Sequence, residues 1–226
     1  MANISLTILR KDLTAELRTK RTINSMLLFS VMVILSFRFA FSVAGVDSAV
    51  IAPAALWITF ILAGMFSLSA AFSKEKDQDT FQALLLCPVA RSSIYIGKML
   101  SSFLLITMIQ LFSLVALAVF FEYDFGGPAQ LASLLVIMLL GTLGFVGVGT
   151  LLSAIAMNTQ MREVMLPVLL LPLIVFTIIM PSVTASSKIL NNATLLDVSA
   201  EIRLLATFAI VYITAALFLF DYVIEE

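Results

Sequence analysis

The sequence has no histidine and a single cysteine, Cys87. Without histidine the chain lacks the side chain that ordinarily titrates near neutral pH, and with it the commonest ligand for a metal or haem iron. One cysteine excludes an intramolecular disulfide. The two absences together exclude a Ser-His-Asp triad, a CxxC pair and an HExxH zinc site. A G-x-x-x-x-G-K-[ST] phosphate loop is missing too, because Gly97-Lys98-Met99 lacks the upstream glycine and the hydroxyl. Charge is scarce: 12% of the residues are Asp, Glu, Lys or Arg, against about 25% in soluble domains. The chain is 62% hydrophobic, which leaves too little polar surface to coat a soluble globule, and its net charge of −1 gives no reason to expect a nucleic acid partner.

The few charges are clustered. Uncharged stretches at Ser48–Ser73, Met99–Phe121, Phe125–Met161, Val164–Ser187 and Leu204–Phe220 alternate with short charged islands. About 20 apolar residues cross a bilayer core as one helix, so the pattern predicts an all-α, polytopic membrane protein. Six spans are expected at 23–44, 49–72, 98–121, 130–157, 162–182 and 203–224, forming one transmembrane domain over residues 1–226. The first span is read as retained rather than as a cleaved signal. Thr22–Phe37 is longer than an h-region of about 7–15 residues, and the segment before it is long and contains Asp12 and Glu16.

Orientation follows from the basic residues. With both termini inside, the cytoplasmic side receives ten of them (Arg10, Lys11, Arg18, Lys20, Arg21, Lys74, Lys76, Arg91, Lys98 and Arg162), and the other side two, Lys188 and Arg203. That is a strong positive-inside bias. Arg38 lies within the first span, near its outer end. It reads either as an arginine snorkelling to the outer headgroups or as part of a path through the membrane.

Three segments outside or within the spans stand out. Residues 1–21 form a basic amphipathic helix, with Leu6, Leu9, Leu13 and Leu17 on one face, suited to the cytoplasmic interface. Such a helix serves as a membrane elbow or as a docking surface for a cytoplasmic partner. The cytoplasmic loop at 73–93 holds a short helix in which Asp77, Asp79 or Thr80 caps the start and suits the helix dipole. Phe81, Leu84 and Leu85 then make an apolar stripe, and Pro88 ends the helix. A stripe too short to span must pack on the chain's own spans or on another subunit. Within the membrane, Gly141, Gly144 and Gly147 allow close helix contact, either inside the chain or between subunits. Pro167 and Pro172 predict a bent fifth span facing protein or a cavity. Pro181 is expected to end that span, leaving 183–202 as the outer loop with a short helix near Leu195–Ile202.

In succession these segments resemble the cytochrome c maturation protein B family, the haem-exporter-B permeases of ATP-binding-cassette transporters. The resemblance rests on Leu9-Arg10-Lys11-Asp12-Leu13, Ile51-Ala52-Pro53-Ala54-Ala55-Leu56-Trp57, Thr80-Phe81-Gln82-Ala83-Leu84-Leu85-Leu86-Cys87-Pro88 and Ile94-Tyr95-Ile96-Gly97-Lys98. Leu140-Gly141-Thr142-Leu143-Gly144-Phe145 and Leu166-Pro167-Val168-Leu169-Leu170-Leu171-Pro172-Leu173 continue it in order, over most of residues 5–182. The chain departs at Gln78-Asp79-Thr80, where the family has Asp-Gly-Ser/Thr, at Ser69, and at Asn24-Ser25.

The resemblance implies an ABC-2-type exporter permease that is not itself an enzyme and binds no cofactor. ATP would be hydrolysed on a partner ATPase, cytochrome c maturation protein A, docked on the 77–86 helix. It further implies two permease copies, association with maturation proteins C, D and E, and a place in a bacterial inner membrane or, for an organelle-encoded chain, the mitochondrial inner membrane. Haem is the expected cargo, either exported or handed on by ATP-driven release of a haem-loaded chaperone. A lipid or drug efflux permease and a non-transporting membrane scaffold are the other readings of the same architecture.

Overall fold

A computed structural model describes residues 2–46, 48–77, 90–122, 125, 127–157, 159 and 162–223. Among these residues helix is the only regular secondary structure. The elements are α1 (Ala2–Thr19), α2 (Arg21–Ala44), α3 (Ser48–Asp77), α4 (Arg91–Phe121), α5 (Pro128–Ala156), α6 (Arg162–Ile174), a π-helical turn (Val175–Ile179), α7 (Met180–Leu190) and α8 (Ser199–Val223). Six stretches are long and apolar enough to cross a membrane: α2, Val50–Phe72 of α3, α4, α5, the combined Val164–Leu190, and α8. The two ends of the chain therefore emerge on the same side, which the basic residues assign to the cytoplasm.

The bundle has a centre and a rim. In their most apolar stretches α3 is 72% buried and α5 61%, whereas α2 and α8 are only 17% buried. The small residues of α5 permit this. A methyl group on Gly141 would come within 2.5 Å of the Trp57 ring, and one on Gly149 would collide with Leu68, so α3 lies directly against the backbone of α5. Gly144 faces Ile178 and Ala209, and Gly147 faces Ile213 of α8. The Phe60 and Phe145 rings, 5.1 Å apart, fill the space between these contacts. Buried polar groups cross-link the helices inside the apolar core. Trp57 Nε1 donates to Ser186 Oγ at 2.9 Å, and Thr142 Oγ1 to Gln110 Oε1 at 2.7 Å.

One sequence expectation changes: the fifth span does not stop at Pro181. Pro181 has no N–H to return to the preceding turn, and the chain widens just before it, with Met180 N–H bonding to Val175 O. Thr177 Oγ1 donates to Leu173 O at 2.7 Å and accepts from Tyr212 Oη at 2.9 Å, so side chains supply what the irregular backbone lacks. Helix then runs to Leu190, and the connection expected over 183–202 shrinks to 191–198 before α8 begins at Ser199, with turns rather than a short separate helix over 195–198. Pro167 and Pro172, expected on a helix facing protein or a cavity, are half-buried and exposed respectively in the single chain.

At the outer rim, Arg38 Nε donates to Phe120 O at 3.0 Å, placing a cation on the carbonyl end of α4. Lys188 and Glu201 pair at 2.6 Å between α7 and α8, and Gln130 Nε2 donates to Asn192 Oδ1 at 2.5 Å. Asp197 Oδ2 accepts from the Thr194 N–H and from its hydroxyl, both at 2.8 Å, and these bonds hold the carboxyl below its ordinary range.

Candidate functional site

The cytoplasmic ends of α1, α3, α4 and α8 build a polar platform on either side of the connection between α3 and α4. It begins at an elbow. Lys20 adopts φ 53°, its N–H bonds to Glu16 O at 2.7 Å, and this single left-handed residue separates α1 from α2. The two helices then follow each other along α4. Ser5 Oγ donates to Ser93 O at 2.9 Å, Ile8 touches Gly97, and Asp12 meets Lys98 and Ser101, so α1 runs parallel to the first half of α4. Arg38 then marks α2 beside the outer end of α4. With 31 residues, α4 is about 46 Å long, more than the roughly 30 Å hydrocarbon core, and α1 packs on the overhanging part.

Gly97 makes this packing possible. A methyl group there would lie 2.8 Å from Ile8 Cβ and 3.1 Å from Ser5 O.

Lys98 is the hub. Its side chain is 2% exposed, and its ammonium donates to Ala71 O of α3 at 2.7 Å and pairs with Asp12 Oδ2 of α1 at 3.0 Å. It also lies 5.4 Å from the centre of the Phe72 ring. One cation thus ties three helices at the points where α3 arrives at the cytoplasm and α4 departs from it. A buried ion pair is tolerable only when its remaining hydrogen-bonding capacity is met. The Ala71 carbonyl does part of this, and a polar cavity of about 40 Å³ lined by Asp12, Glu16, Ser67, Lys98, Ser101 and Ser102 adjoins the pair. That is room for roughly two or three waters.

A second set of contacts links the platform to α5 and α8. Tyr95 Oη donates to Gly147 O at 2.8 Å, its ring lies 5.4 Å from that of Phe220, and Phe220 also meets Phe72 at 6.3 Å. Arg91 Nη1 donates to Asp221 O at 2.9 Å, using the final carbonyls of α8, while the Asp221 side chain is exposed.

Of the residues expected to dock an ATPase, Asp77 closes α3, while Asp79, Thr80, Phe81, Leu84 and Leu85 lie outside the described residues. Arg38, Gly141, Gly144, Gly147, Pro167 and Pro172 are not brought together into one site. Arg38 is at the outer rim, the glycines line the contacts of α5 described above, and the prolines lie on α6, one half-buried and one exposed. The residues that sequence reading missed are Lys98, Asp12 and Tyr95. A visible signal existed for Lys98, a lone cation a full two turns inside what proves to be a continuous helix from Arg91. Among the described residues no group of three His, Cys, Asp or Glu side chains is placed to hold a metal ion.

A family model described as CcmB protein matches residues 3–225. The chain belongs to the CcmB family. This is the family that the succession of segments resembles, and the match extends through α8, beyond the stretch on which the resemblance rested. Membership makes this CcmB protein a multi-pass component of a transport system in c-type cytochrome biogenesis, of the ATP-binding-cassette kind with an ATPase partner. No curated protein matches the chain.

Proposed function

We propose that this CcmB protein is a permease subunit that receives mechanical work from its ATPase partner through residues 77–86 and spreads it through the platform. The observation that carries the reading is the position of Lys98. It binds the end of α3 and α1 from the base of α4, so a push on the segment joining α3 to α4 is felt by three helices at once. ATP hydrolysis falls to the partner, since the sequence lacks a phosphate loop and histidine. Haem handling is the task of the system, by export or by release of a haem-loaded chaperone. A chain without histidine has only weak ligands of its own for haem iron, which favours remodelling of a haem-handling complex, with release of a loaded chaperone, over direct carriage of haem. The assembly is proposed to hold two copies of this chain with maturation proteins A, C, D and E, in a bacterial inner membrane or its mitochondrial equivalent.

Co-purification in mild detergent tests the docking. Leu84→Asp, or charge reversal at Asp77 and Asp79, is expected to abolish recovery of the ATPase while membrane insertion stays normal. Recovery of the ATPase at wild-type levels would refute the assignment. Deletion of the gene followed by haem staining of c-type cytochromes tests the pathway. Normal haem attachment, combined with lipid- or drug-stimulated ATPase in reconstituted complexes, would point to an efflux permease instead.

A further inference from the structure

Helix α1 has three faces, and the fold uses only one of them. Ser5, Ile8, Asp12 and Glu16 turn toward the bundle. Both acids of the helix are on that side: Asp12 pairs with Lys98, and Glu16 Oε1 accepts from Thr22 at 3.3 Å. A second face carries Leu6 and Leu17, which are 63% and 53% exposed. The third is an open helix face that carries Arg10, Lys11, Thr14 and Arg18 at helical spacing. Exposed Lys20 and Arg21 continue this charge at the elbow.

We propose that this outward side of α1 binds an anionic phospholipid of the cytoplasmic leaflet, with Arg10 and Arg18 drawn to the headgroup and Leu17, at the elbow end of the helix, against the acyl chains. Three features on the same helix support this occupant over an acidic protein surface. Glu16 is buried and Asp12 is held between Lys98 and Lys11, so the outward charge at Arg10 and Arg18 is positive. The basic row is flanked at its two ends by the exposed Leu6 and Leu17, which a water-facing protein contact does not need but a lipid interface does. And α1 lies against the part of α4 that overhangs the hydrocarbon core, at headgroup depth, where clustered Lys and Arg recognise anionic lipid. The site is independent of the cargo and of how the ATPase docks.

Native mass spectrometry of the purified full-length chain in mild detergent tests this, using phosphatidylglycerol and phosphatidylcholine with identical acyl chains as probes. The wild type is expected to retain phosphatidylglycerol at a concentration roughly tenfold lower than phosphatidylcholine. Arg10→Gln/Arg18→Gln should remove that preference, and Arg10→Lys/Arg18→Lys should keep it. Millimolar inorganic phosphate should not displace the lipid; displacement would mean a small-anion site and overturn the proposal. So would an unchanged preference in the glutamine variant, whether or not that variant loses its ATPase partner. Loss of the partner with lipid preference intact would assign the face to protein docking.

Discussion

Among single residues, Lys98 concentrates the most consequence in the fewest atoms. Its ammonium is buried, and its removal leaves the largely buried Asp12 with the exposed Lys11, 3.2 Å away, as its charge partner. Removing one member of a buried pair costs about 3–5 kcal/mol, much of it the desolvation of the survivor. Lys98→Met is therefore expected to lower the melting temperature of the purified chain by roughly 6–20 °C. Adding Asp12→Asn should recover part of that loss, because no largely buried carboxylate then remains to be desolvated. Equal losses in the single and double variants would show that the pair has no coupling. Gly141 offers a steric counterpart. Its replacement by Ala forces a methyl group against Trp57 and should cost about 1–3 kcal/mol. Gly127→Ala, where nothing lies within 4 Å, should change stability by less than about 0.5 kcal/mol. Thermal unfolding followed by tryptophan fluorescence reads both, since Trp57 is the sole reporter.

For whole elements, the outer turn between α7 and α8 has a pH dependence with a definite sign. Hydrogen bonds from the Thr194 N–H and hydroxyl lower the Asp197 pKa in the folded chain. A lowered folded value means the carboxylate stabilises the turn above the unfolded value, near 3.8, and that this contribution disappears as pH falls through the folded value. Asp197→Asn should loosen the 194–198 turn at neutral pH, seen as faster amide exchange there by mass spectrometry. The same variant should leave exchange in α5 unchanged; protection lost in both would contradict a local role. The helices themselves show how far sequence reading reaches. Uncharged length located all six spans, because hydrocarbon demands it. The end of the fifth was misplaced at Pro181, since a proline in lipid can follow a widened turn whose polar groups are met by Thr177 and Tyr212, distant partners that no local pattern displays. Helix α1 was legible as amphipathic, but its leucines divide: Leu13 packs on the core, whereas Leu6 and Leu17 face outward. The seam against α4 uses Ser5, Ile8 and Gly97, small or mixed residues that a hydrophobic count passes over.

For the molecule as a whole, orientation is the property most open to a direct check. Cys87 is the only cysteine and belongs to the segment between α3 and α4. In sealed inside-out vesicles it should react with a membrane-impermeant maleimide, and in right-side-out vesicles it should not. A Cys87→Ser/Asn192→Cys variant should show the reverse pattern, and any other pairing would invert the assigned sides. The platform was not legible at this scale: nothing in the linear order joined Asp12 to Lys98, or Arg91 to the end of α8.

By itself the sequence determined that this chain lives in a bilayer and that it crosses six times with its basic side inward. Those properties are sums over residues, set by transfer free energies that do not depend on which helix neighbours which. Only the tertiary structure decided that α1 climbs the flank of α4, that α3 seats against a glycine-lined α5, and that one lysine holds three helices together at the cytoplasmic face. Contacts of that kind depend on close approach between segments far apart in the chain, where a missing methyl group or a single buried charge outweighs any local preference.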